Sequence, residues 1–203
     1  MSTDDRAWVA TKKGLFELRR RNKAWAIEHV SFLGEPVSMV LPPAAGSARM
    51  LASLTTGHYG TKLWASDDAG RAWREAAAPT YPPQPEGAEG PAWKLVLVWS
   101  LEQSDATVWA GTLPGGLFRS NDFGDSWQLV ESLWNRKERL AWFGGGYPEP
   151  GIHSICPHPR RAGELLLGIS CGGAWTTRDG CENWELTAKG MHADFVPPEL
   201  ADD

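Results

Sequence analysis

The chain has 203 residues, with 20 Lys and Arg against 25 Asp and Glu and a net charge of −5, so no basic stripe can follow a phosphate backbone and nucleic acid is excluded as a partner. Hydrophobic residues make up 42%, enough for a substantial core, but the longest apolar run, Leu95 to Trp99, is too short to span a membrane. Twelve Trp stand beside six Phe and three Tyr, and 22 Gly and 15 Pro punctuate the chain, a composition of short strands and turns.

From Met1 to Arg6 polar residues lead directly into a strand-like segment, without an apolar h-region, which predicts no secretory signal and a cytoplasmic address. Trp8–Thr11 and Leu15–Leu18 are predicted strands around the turn Lys12–Gly14, Arg19 to Lys23 reads as a solvated turn, and Trp25 opens another strand. Val37–Leu41, Met50–Leu54 and Leu63–Ser66 follow as strands, the last two joined by Thr56–Gly60. The same succession returns in Lys94–Trp99, Val108–Thr112 and Leu117–Ser120, with the turn Pro114–Gly116. It returns again in Ile152–Cys156, Leu165–Ser170 and Ala174–Thr177, with the turn Cys171–Gly173. Cys156, Cys171 and Cys181 lack metal-finger spacing and read as free thiols.

Each complete succession ends in one pattern, a hydroxyl residue with Asp two places on and Trp seven places on. Ser66, Asp68, Gly70 and Trp73 form the first instance, and Ser120, Asp122, Gly124 and Trp127 the second. In the third, Thr177, Asp179 and Trp184 keep their places, but Gly180 stands one position early and Cys181 takes the usual glycine position. The hydroxyl and carboxylate can accept backbone N–H groups of a tight turn that no strand partner satisfies. Glycine permits the positive φ of such a turn, and the Trp starts a further strand and buries its ring between neighbouring sheets. The acid of this pattern is therefore structural.

Four antiparallel strands per repeat describe one blade of an all-β propeller. The chain is expected to hold three full blades, over 36-79, 93-133 and 151-189, after a partial N-terminal blade over 6-30, with a tail over 190-203. Closure of such a ring takes about four to eight blades. An incomplete ring is expected, with self-association through open blade edges.

These patterns are Asp-boxes, and the chain resembles the Asp-box, or bacterial neuraminidase repeat (BNR), sialidase-like propellers often labelled glycosyl hydrolases. The resemblance rests on the boxes and on Val9–Phe16, Thr56–Gly60, Gly111–Ser120, Trp142–Gly146 and Gly151–Cys156. It implies that the chain corresponds to the N-terminal portion of a longer propeller. True sialidase activity is not expected: the Phe/Tyr-Arg-Ile-Pro strand that begins the family's arginine set is absent, and Tyr59, Tyr81 and Tyr147 stand in loops.

Ser66, Ser120 and Thr177 fall 54 and 57 residues apart, against about 40–45 for a bare blade. The surplus lies in the links between blades, Pro79 to Trp93 and Trp134 to Gly151, and long loops on a rigid scaffold carry function. The hairpin holding His58 and the strand starts holding Lys94 and His153 share the link face, and Arg139, Trp142, Glu149, His192 and Asp194 lie on the links and tail. Together these eight are the candidate ligand-binding residues. His58 and His153 are also candidate ligands for a divalent metal, for which at least one more ligand is required. The leading expectation is a propeller module that binds a small-molecule or protein ligand on the link face. The alternative is a glycosyl hydrolase-like or metal-dependent enzyme whose site needs further blades.

Overall fold

Apolar and polar residues alternate along these segments, and Gly- and Asn-rich turns reverse the chain between them, so consecutive strands pair antiparallel. The computed structural model describes residues 5–187 and 189–190. Strands β1 (Arg6–Thr11), β2 (Gly14–Arg21) and β3 (Ala24–Ser31) make the first blade. The second holds β4 (Val37–Leu41), β5 (Met50–Thr55), β6 (Thr61–Ser66) and β7 (Arg74–Ala76). The third holds β8 (Leu97–Ser104), β9 (Thr107–Leu113), β10 (Leu117–Ser120) and β11 (Gln128–Leu129). The fourth holds β12 (Ile152–Pro157), β13 (Leu165–Ile169), β14 (Gly173–Thr177) and β15 (Glu185–Leu186).

The blades stack face to face, with β1, β4, β8 and β12 lying side by side. A separate apolar core fills each junction. Leu15, Val37 and Leu54 lie between the first and second blades, Leu63, Val98 and Phe118 between the second and third, and Leu117, Ile152 and Trp175 between the third and fourth. Among the described residues no such core joins the fourth blade back to the first. The ring is open.

Two local expectations are corrected. Arg19 to Arg21 belong to β2, because Asn22 and Lys23, at φ 51° and 68°, make a two-residue hairpin with positive φ that lets both strands run longer. Lys94 precedes β8: its N–H is taken by Ala92 at 2.8 Å, and regular pairing starts only at Leu97.

The boxes fold as their chemistry predicts. In the first, the Gly70 N–H donates to Ser66 Oγ at 2.8 Å, and the Arg71 and Ala72 N–H groups donate to Asp68 Oδ1 at 2.9 Å each. In the second, the Gly124 N–H reaches Ser120 Oγ at 2.7 Å and the Ser126 N–H reaches Asp122 Oδ1 at 2.8 Å. In the third, the Cys181 N–H reaches Thr177 Oγ1 at 3.1 Å and the Asn183 N–H reaches Asp179 Oδ1 at 2.9 Å. Every box carries two successive positive φ values, at Ala69 and Gly70, Phe123 and Gly124, and Gly180 and Cys181. One glycine in either place relieves half the strain, which accounts for the shifted glycine of the third box.

The box tryptophans fasten each blade to the one before it. Trp73 Nε1–H donates to Ser31 Oγ at 3.0 Å, Trp127 Nε1–H to the Ala77 carbonyl at 2.9 Å, and Trp184 Nε1–H to Ser132 Oγ at 3.1 Å. Ser31 ends the last strand of the preceding blade, and Ala77 and Ser132 follow theirs, so the indoles span the junctions.

Hydrogen bonds hold the box carboxyls below the usual carboxylate range. Ser126 and Ser120 bring Asp122 to about 2, the Asn183 amides bring Asp179 to about 2, and the Ala72 N–H with the Ser66 hydroxyl lowers Asp68. Carboxyls depressed in the folded state stabilise fully above their unfolded value of about 3.9, and that stabilisation is lost as pH falls through the folded value. Thermal midpoints are therefore expected to fall between about pH 4 and pH 2. An Asp122→Asn, Asp179→Asn double variant should start lower and fall less steeply over that window in melts followed by circular dichroism.

Glu17 of β2, only 2% exposed, meets Arg6 at 2.8 Å, Arg19 at 3.2 Å and Arg71 of the first box at 3.2 Å. Arg19 and Arg71 are 39% and 45% exposed and can rehydrate when the acid is removed. Glu17→Ala is thus expected to cost roughly 2 kcal/mol in urea denaturation, below the about 3–5 of a fully buried pair.

Candidate functional site

The innermost strands of the three full blades share an irregularity near their first residues. Pairing with the next strand skips between Val37 and Met39, between Val98 and Ser100, and between Ile152 and Ser154. The skipped residues are Ser38, Trp99 and His153. A bulge leaves one residue out of the ladder and re-aims its side chain. Three corresponding positions of the ring thus carry a hydroxyl, an indole and an imidazole on the link-bearing end.

Trp99 is the centre of the group. Its ring lies 5.6 Å from Tyr147 and 6.0 Å from His153, both edge-on, the favoured arrangement of aromatic quadrupoles. Gly151 makes room for it: a Cβ there would stand 2.4 Å from the indole. His153 is exposed, lies along Gly168, and shares a hydrogen bond of 2.8 Å between Nδ1 and Ser154 Oγ. Tyr147 is 45% exposed. Neither Trp99 nor Tyr147 figures among the candidates expected from sequence. In the repeats the bulged residue follows an apolar one, as in Val37-Ser38, Val98-Trp99 and Ile152-His153, which aligns the three positions but does not reveal the bulge.

The other candidates separate by burial. His58 is exposed in the single 3₁₀ turn Gly57–Tyr59 of the second blade, and Lys94 is exposed ahead of β8. No contact brings His58 to His153, and the third blade stands between their sheets. Among the described residues no three His, Cys, Asp or Glu side chains form a group able to hold a metal ion.

Arg139 and Trp142 turn into the protein. Arg139 is 6% exposed, donates from Nε to the Trp134 carbonyl at 2.7 Å and lies 3.7 Å over the Trp134 ring, and burial lowers its pKa. Trp142 is 7% exposed and packs edge-on against Trp175 at 5.8 Å. Glu149 is half-buried just ahead of Pro150. His192 and Asp194 lie outside the described residues.

The links fold back because they carry apolar anchors. A short helix, α1 (Glu131–Trp134), buries Leu133 and Trp134, and a 3₁₀ turn at Lys137–Ala141 follows it. From the preceding link, Tyr81 packs on Phe118 and Trp134 and places its hydroxyl 2.5 Å from Thr112 Oγ1, where it also accepts the Gly116 N–H at 3.0 Å. Burial pushes the Tyr81 pKa well above its ordinary value. The links thus form a second layer over the blade ends, with Leu140, Phe143 and Tyr147 left on its surface.

No family model matches the chain, and no curated protein matches it in sequence. Solved structures do. A GH74 xyloglucanase from Xanthomonas campestris aligns over 93% of this chain and 28% of its own, at TM-score 0.59 and 17% identity. YCF48 from Cyanidioschyzon merolae aligns over 94% of this chain and 55% of its own, at TM-score 0.52 and 16% identity. The fold is that of β-propeller blades. The NanB sialidase from Streptococcus pneumoniae aligns over 83% of this chain and 29% of its own at TM-score 0.40 and 15% identity, too slight to carry an argument. At these identities the likeness extends to fold alone, and the chain spans little more than half, or about a quarter, of these neighbours.

Proposed function

We propose that the chain is a binding module whose link-bearing face takes a protein or peptide partner through aromatic and aliphatic side chains around Trp99, Tyr147 and His153. The observation that carries this reading is where large exposed hydrophobic residues occur. Leu33, Tyr59, Val96, Leu140, Phe143 and Tyr147 belong to links or hairpins of that one face. The other five lie on the first and fourth blades, at Val9, Trp25, Ile27, Leu166 and Leu186, and no turn of the box-bearing face has one among the described residues. Exposed apolar residues gathered on one side mark interaction surfaces, and aromatic rings supply most binding hot spots.

A protein partner is favoured over a small molecule because small ligands sit in concavities lined by convergent polar groups. An open concavity of about 330 Å³ lies instead on the box-bearing side, lined by Glu102, Gln103, Asp105 and His158. His158 Nδ1 there accepts the Arg160 and Arg161 N–H groups at 3.1 and 3.0 Å, which ties it to its own turn.

Selection from a random peptide library, run beside a glycan array, tests this reading. Peptide binders are expected, and a Phe143→Ala, Tyr147→Ala, His153→Ala variant should lose at least about tenfold in affinity for them, since hot-spot truncation costs about 1–2 kcal/mol or more. Hits confined to glycans, or peptide binding unchanged in the variant, would overturn it.

A further inference from the structure

Four of the remaining five exposed hydrophobic residues, Val9, Trp25, Ile27 and Leu166, point to a second interface, while Leu186 pairs with Trp175 on the face turned to the third blade. In β2, Leu15 and Glu17 face the second blade, so Phe16, Leu18 and Arg20 face the other way. Register places Val9 and Val30 beside Phe16, Ala7 and Ile27 beside Leu18, and Trp25 beside Arg20. The outer face of the first blade is therefore continuous apolar surface, with Trp25 50% and Ile27 61% exposed.

The fourth blade has the complementary open face. Leu167, Trp175 and Thr177 are buried toward the third blade, so Leu166, Thr176 and Glu185, which register aligns across three strands, face outward beside Cys156. Leu166 is 43% exposed, and Cys156 is an exposed free thiol.

We propose that two copies of this chain close one ring, each seating the outer face of its first blade on the outer face of the other's fourth blade. Trp25 identifies the occupant. At every junction within the chain, a tryptophan at the turn before a blade's last strand donates its indole N–H to the blade before it. Trp25, the second residue of the first blade's last strand, comes just after the corresponding turn and, paired with Arg20, faces the side where a preceding blade would lie. The face it would meet must be one that follows a last strand, as the outer face of the fourth blade does. A contact between two first blades would join two faces of the wrong kind.

Charge is compatible with this pairing: Arg20 pairs with Trp25 on one face, and Glu185, two strands from Leu166 and bridged to Arg178 at 2.8 Å, lies on the other. Four sheets from each copy make eight, within the range of about four to eight at which propellers close. A twofold ring forms the contact twice and covers the outer faces of both the first and the fourth blades.

Sedimentation velocity of the full chain tests the proposal. The expected mass is twice 22.3 kDa at micromolar concentration and above. Trp25→Glu and Leu166→Glu should each raise the dimer dissociation constant by about a hundredfold or more, because the ring repeats the contact. Cys156 should react with a maleimide more slowly in the wild type than in either variant. Matched circular dichroism melts would show that both variants fold, and Ile27→Lys supplies a third variant at the same face. Tyr147→Ala should leave the mass unchanged, which separates this interface from the link-bearing face. A wild-type monomer throughout, a dimer indifferent to Trp25→Glu and Ile27→Lys, or an open series of higher oligomers would each overturn the ring.

Discussion

Trp184→Ala is expected to lower the free energy of unfolding by about 3–5 kcal/mol in urea or guanidinium titrations. The ring is 4% exposed in the core between the third and fourth blades, beside Leu133, Leu165 and Cys181. Its Nε1–H donates to Ser132 Oγ at 3.1 Å, and Ser132 in turn donates to the Cys181 carbonyl. Truncation empties the junction and leaves Ser132 without a donor. The same environment pushes the Cys181 thiol up to about 12, chiefly through burial. Trp127→Ala should be milder, about 1–2 kcal/mol, because its ring is only partly buried although it too spans a junction. Equal losses at the two positions, or a loss under about 1 kcal/mol at Trp184, would contradict this packing.

Gly111→Ala is expected to cost about 3 kcal/mol, at the upper end for an overpacked core. A Cβ at this position would stand 2.3 Å from Ser100 Oγ, 2.5 Å from the Ile152 carbonyl and 2.8 Å from Ile152 Cγ2. Ser100 Oγ donates to that carbonyl at 2.8 Å, a buried bond between the inner strands of the third and fourth blades. The carbonyl is backbone and cannot swing away, so the fourth blade must shift or the bond must break. Gly168→Ala provides the contrast: its tightest neighbour, at 2.9 Å, is the exposed His153 ring, which can rotate. Stability should be nearly unchanged there, while peptide binding at the link-bearing face falls.

The blades were legible in the sequence because a box is local chemistry. Ser66, Asp68 and Gly70 satisfy one another within a single turn, so their spacing alone predicts the fold. The links were not legible in the same way. Arg139 and Trp142 look like displayed site residues in a polar, Gly-rich segment, and only tertiary contacts with Trp134 and Trp175 bury them. Glu17 is an unremarkable strand residue until Arg71 of the next blade reaches it. Trp99 read as an ordinary strand residue because a bulge changes the direction of a side chain without changing the hydrophobic pattern.

On the proposed function, the box residues hold the blades together while the proposed binding surface occupies the opposite end of the ring. Thermal midpoint and peptide affinity, measured side by side for Asp122→Asn and for a Tyr147→Ala, His153→Ala variant, test it most directly. Asp122→Asn should lower the midpoint and leave affinity intact, whereas the exposed pair should leave stability within about 0.5 kcal/mol and lose the peptide. Loss of binding in Asp122→Asn at unchanged stability, with the Tyr147 and His153 variant still binding as wild type, would contradict the account.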